Sequence, residues 1–136
     1  MLRNSGLSVV RGLVLAAMLA CAPMQECQAA MVIVNVGPGM TFTPAFPMIR
    51  AGDTLMFRNM GGIHNVVADD GSFRCAYGCD NDGEGGSGHA SSGNWVARVR
   101  FDESGEFGYF CETHGSPGKG MWGRVRVTLF HDGFEP

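Results

Sequence analysis

Several things are scarce or absent in this chain of 136 residues. No apolar run is long enough to cross a membrane: Gly12–Ala20, in "GLVLAAMLA", is about half of the roughly 20 residues a helical span needs. No internal repeat is present, which excludes a solenoid or propeller. After Met31 no segment sustains a 3.6-residue apolar period, which excludes a helical bundle. Positive charge is short, with 10 Lys and Arg against 13 Asp and Glu. That balance excludes nucleic acid as a partner. At this length one domain is expected.

The first residues are set aside from the fold. Arg3 and Arg11 flank the short apolar run on its N-terminal side, and small residues follow in Cys27–Met31. This is the layout of a secretory signal peptide. Cleavage after Ala29 makes residues 1–29 the leader and 30–136 the single domain, of an exported, periplasmic or secreted protein. "MLAC" (Met18–Cys21) resembles a lipobox, and lipidation at Cys21 is the one route by which the chain would meet a membrane. Cysteine arithmetic favours the leader. Cleavage after Ala29 leaves Cys75, Cys79 and Cys111, two to pair and one free, whereas cleavage before Cys21 leaves Cys27 unpaired in an oxidising compartment.

From Met31 onward the apolar pattern is short and has period two. Met31–Val36 reads as a strand. Gly37–Pro47 is turn-rich, with Phe42 and Phe46 available to pack inward. Leu55 and Phe57 alternate with Met56 and Arg58. Trp95, Ala97, Val99 and Phe101 share one face of the next strand, and Val125, Val127 and Leu129 one face of the last. Short alternating strands split by Gly, Pro and Asp turns predict an all-β sandwich or barrel. The stretch Asp69–Asn94 stands apart. It is small, acidic and glycine-rich, too poor in apolar residues to supply a core, and reads as a long surface excursion. Cys75 and Cys79 lie inside it and are expected to form a local disulfide.

One stretch concentrates soft donors: "FCETHGSPGKGMWGRV", Phe110–Val125, holds Cys111, His114 and Met121. A thiolate, an imidazole and a thioether, with one more His, match the trigonal His2Cys site with a weak axial Met. A second His must then lie upstream at a strand end, and "GGIHNVVADD" supplies His64. Other metal sites fail by spacing. Cys75 and Cys79 have the Cys-x3-Cys spacing of a dinuclear copper site, but the position that needs His is Gly83. Asp80–Gly85 begins like a calcium loop, but its twelfth position is Ser91 rather than Glu. His89 and His131 have no ligand-like neighbours and are expected to be solvated.

These residues resemble the cupredoxins, in particular the small plastocyanin-like blue copper proteins. "FPMIRAGDTLMFRNMGGIHNVV" is similar to the family's strand, Gly-Asp turn, strand and first His ligand. "GEFGYFCETHGSPGKGMWGRVRV" is similar to its closing block of Cys-x2-His and Met-x-Gly. The resemblance spans Met31 to Phe130. It implies a Greek-key β-sandwich, and one copper ion held by His64, Cys111, His114 and Met121. It also implies one-electron transfer to a redox partner such as a cytochrome or copper enzyme, by a monomer that is not an enzyme. Six residues, "GSPGKG", separate His114 from Met121 where plastocyanins usually have four, and extra glycines can bulge outward without moving Met121. Asn65, directly after His64, either ties the two ligand segments together or caps a turn. The alternative function is a copper chaperone or storage protein of the cell envelope. Its exposed, clustered Met and His donors are not seen here: Met31, Met40, Met48, Met56, Met60 and Met121 are scattered.

Overall fold

The computed structural model describes residues 28–129. The leader up to residue 27 and His131 therefore lie outside the described residues. Ten strands occur among those described: β1 (Met31–Val36), β2 (Phe42–Thr43), β3 (Met48–Arg50), β4 (Thr54–Asn59), β5 (Val66–Ala68), β6 (Arg74–Ala76), β7 (Gly78–Cys79), β8 (Val96–Arg100), β9 (Gly105–Ser116) and β10 (Lys119–Thr128). They form two sheets, in the orders β2-β1-β4-β8 and β3-β10-β9-β5-β6-β7. The β1–β4 and β3–β10 pairs are parallel, and the other pairings are antiparallel. The all-β sandwich expected from the alternation is what the chain forms. Among the described residues no helix is long and apolar enough to cross a membrane.

Alternation places the core between the sheets, because a period-two strand presents one apolar face. Val34 and Val36 of β1, Leu55 and Phe57 of β4, Trp95 and Ala97 beside and within β8, and Val125 and Val127 of β10 are buried. Phe42, Phe57 and Tyr109 meet edge-to-face, with centroids 5.0–6.4 Å apart. Two apolar side chains leave the expected pattern. Phe46 is 63% exposed rather than inward, and packs edge-on against Trp122 beneath the Arg124 guanidinium. Leu129 is 62% exposed because β10 ends at Thr128, and beyond the ladder the alternation no longer fixes a face.

The acidic excursion is also more structured than its composition suggests. It supplies β6 and β7 to the edge of the larger sheet, and Cys75 and Ala76 are fully buried there. Cys75 and Cys79 are joined by the expected disulfide. The segment therefore contributes to the core through β6, although its remaining residues are largely polar.

Candidate metal centre

His64 lies between β4 and β5. Its backbone is fixed by a two-way bridge to Ser91, with His64 N donating to Ser91 O at 3.2 Å and Ser91 N donating to His64 O at 2.9 Å. The turn that precedes it carries Gly61 and Gly62 with φ of 139° and 91°. At Gly62 a side chain is excluded: a Cβ there would stand 2.5 Å from His64 Nε2. Asn59, at the end of β4 and buried, donates from Nδ2 to Gly62 O at 3.1 Å and to Gly93 O at 2.8 Å. It thus staples the turn before His64 to the segment after Ser91.

Cys111 and His114 come from β9, and their presentation follows from a break in its ladder with β10. Gly115 pairs Gly120, but the next pair is Phe110 with Trp122. Four residues, Cys111 to His114, therefore stand opposite the single residue Met121, and the strand bulges where the donors lie. The six-residue spacer is taken up by the hairpin itself. Gly115 and Ser116 continue β9, Lys119 and Gly120 open β10, and Pro117-Gly118 closes the hairpin. Gly120 is required there, since its φ is 68° and a Cβ would lie 2.5 Å from His114 O.

This framework brings three donor atoms together. His64 Nδ1 and His114 Nδ1 are 3.2 Å apart, and Cys111 Sγ is 3.8 Å from the first and 3.7 Å from the second. The centre of a triangle with those sides is about 2.1 Å from each corner, within the roughly 2.0–2.3 Å of metal–imidazole and metal–thiolate bonds. One thiol and two imidazoles are a soft to borderline set, suited to copper. His64 and Cys111 are buried, and Cys111 is the free cysteine among the described residues. His114 is half-buried, so it is the more open of the two histidines. Burial, and then the neighbouring His114, hold the His64 pKa below its ordinary value, although the Gly61 and Gly39 carbonyls act in the other direction. The ring is thus neutral at pH 7, the form that can ligate. Met121 is buried at 1% exposure, facing the bulge across the ladder.

Asn65 ties the two donor segments. Its Oδ1 accepts from the Glu112 amide at 3.1 Å, and its Nδ2 donates to Gly88 O at 2.9 Å. Of the two readings the sequence left open, the structure selects the cross-link. Asn59 and Ser91 were not singled out by sequence. The Ser91 carbonyl receives His64 N and, at 3.1 Å, Trp95 Nε1, and a backbone carbonyl leaves no trace in residue identity. His89 is exposed, with its Nδ1 3.2 Å from Arg74 Nη2, and stays away from the three donors.

Residues 28–128 match the family model described as copper binding proteins, plastocyanin/azurin family. The chain is 36% identical over 89 residues to chloroplastic plastocyanin of Tetradesmus obliquus, covering 65% of this chain and 59% of that one. It is 30% identical over 89 residues to plastocyanin of Scenedesmus fuscus, covering 65% of this chain and 87% of that one. An oxidised amicyanin variant superposes with a TM-score of 0.50 at 22% identity, over 71% of this chain and 80% of that one, and bears on the fold alone. The match spans most of the described sandwich and includes both donor segments, so the chain belongs to the plastocyanin/azurin family of copper-binding proteins.

Proposed function

We propose that this protein is a one-electron carrier with a mononuclear copper site, held by His64, Cys111 and His114 with Met121 as a weak axial donor. The carrying observation is the convergence of a free buried thiol and two imidazoles within 4.8 Å of one another. Bound there, copper supplies a Cu(II)/Cu(I) couple, and that is all the chemistry the role needs. The chain's own residues do the rest. Two sheets and the β9–β10 hairpin fix the donors, so that little has to move when the charge changes. Cys111 and His64 are shielded from water. His114, half-buried and three residues before Pro117 at the hairpin tip, is the ligand nearest solvent in this reading, and Met60 and Ile63, exposed in the turn before His64, supply apolar surface to the docking rim. A redox partner such as a cytochrome or copper enzyme docks over that rim, with acidic residues of the Asp69–Glu84 stretch steering a basic one. The role is that of an electron carrier and not an enzyme. It is placed in the periplasm or outside the cell, after removal of residues 1–29.

The test is colour. The copper-loaded, oxidised protein is expected to bind one copper and absorb strongly in the visible from thiolate-to-Cu(II) charge transfer. Cys111→Ser is expected to abolish that band, because a neutral alcohol does not replace a thiolate. An unchanged visible spectrum in the variant refutes the assignment.

A further inference from the structure

The excursion that sets this sequence apart leads back to the metal centre along two routes. The first runs through Arg74, the first residue of β6, one position before the disulfide. Its Nη1 donates to Asp80 Oδ2 at 2.8 Å, while Nε and Nη2 form a fork on the Glu112 carboxylate. Glu112 directly follows Cys111 in the bulge. The second route runs through the loop that the hairpin carries. Ser87 N donates to Tyr77 O at 2.8 Å, and Gly88 N donates to Asp80 Oδ1 at 2.7 Å. Gly88 O then accepts from Asn65, the residue after His64. The Cys75–Cys79 disulfide closes the hairpin from which both routes start.

From these contacts we infer that the disulfide-closed hairpin Arg74–Asp80 is a positioning device for the metal centre, with Arg74 as the positioning residue that holds the Cys111–Glu112 segment against the His64–Asn65 segment. The inference rests on the copper reading above for its spectroscopic consequences and on the geometry alone for its structural ones. Stability does not account for the arrangement. The Arg74, Asp80 and Glu112 side chains are 27%, 31% and 37% exposed, and ion pairs open to water contribute little to stability. What a bidentate fork supplies is direction. Glu112 donates its amide to Asn65 Oδ1 while its carboxylate is pulled toward β6, so the backbone beside Cys111 is held from both sides.

The test compares the wild type with Arg74→Gln, Glu112→Gln and the double variant, using Arg126→Gln as a control that removes the distant pair with Glu106. In the metal-free protein, hydrogen exchange at the Glu112 amide is expected to quicken about tenfold or more in either single variant, as local protection is lost. In the copper-loaded protein both variants are expected to shift the visible band and reduction potential. Copper affinity, measured by chelator competition, is expected to fall roughly 10- to 100-fold, the usual cost of removing a residue that orients a ligand. The double variant should go no further than Arg74→Gln, because that substitution already removes the fork on Glu112 together with the Asp80 pair. Arg126→Gln should change none of these. Should Arg74→Gln fold poorly, Glu112→Gln opens the same fork from its exposed side. Unchanged Glu112 exchange, or strictly additive effects in the double variant, would overturn the positioning role. A wild type that takes up copper without colour would instead overturn the copper reading, and leaves the exchange result standing as the test of the clamp.

Discussion

Asn59→Ala offers a direct measure of how the scaffold holds His64. Asn59 is 3% exposed. Its Nδ2 makes well-formed bonds to Gly93 O at 2.8 Å and Gly62 O at 3.1 Å, and a longer one to Ser91 O at 3.4 Å. Alanine removes the donor and leaves the acceptors behind. At roughly 1 kcal/mol for each good bond, with a further penalty for a carbonyl left unsatisfied, the loss comes to about 2–3 kcal/mol. For a domain near 100 residues, 1 kcal/mol moves Tm by about 4–8 °C, so a fall of about 10–20 °C is expected. The assay is thermal unfolding of the metal-free protein followed by circular dichroism, since bound copper would add its own stabilisation. Asn35 serves as the comparator. It sits one strand away in the same sheet, and among the described residues its Oδ1 accepts from the half-buried Arg58 side chain, at 3.0 and 3.3 Å. Asn35→Ala should cost no more than about 1 kcal/mol. If Asn59→Ala lowers Tm by no more than Asn35→Ala does, the staple between the His64 turn and the Ser91 segment is not what holds that end of the fold.

Met121→Leu is expected to retain copper and colour but raise the reduction potential, because losing a weak donor disfavours Cu(II) more than Cu(I); voltammetry that finds no change removes Met121 from the axial position. Gly120→Ala places a side chain at φ 68° and 2.5 Å from His114 O, so it should destabilise by about 1–3 kcal/mol and disturb the visible band together with Tm. A melt at wild-type temperature with an unaltered band would show that the hairpin does not constrain His114. Acidification should destabilise the metal-free protein. The His64 pKa is lowered from 6.5 in the fold, so the unfolded chain takes up its proton first, and stability falls as pH drops below that value. The contribution is fully present above pH 6.5, and melts recorded from pH 8 to pH 5 that decline equally in a His64→Gln variant would assign the effect elsewhere.

Period-two alternation was enough to place the apolar faces of β1, β4, β8 and the body of β10, because burial on one side of a pleated strand imposes that pattern directly. The three donors that converge, His64, Cys111 and His114, were equally legible, since a free cysteine three residues before a histidine, in a chain whose first residues read as a secretory leader, has few other uses. Tertiary structure decided what depends on register and on backbone groups. "GSPGKG" became a hairpin because Gly115 and Gly120 allow two strands to approach, and that pairing forces Cys111–His114 into a bulge opposite Met121. Phe46 turned outward because Trp122 and Arg124, far along the chain, offered it a surface partner. The acidic segment looked like a loose excursion because, beside the Arg74 side chain, its ties to the site run through the backbone of Gly88 and Ser91. Every residue but proline has the same backbone donor and acceptor, so composition cannot announce which of them will hold a ligand in place.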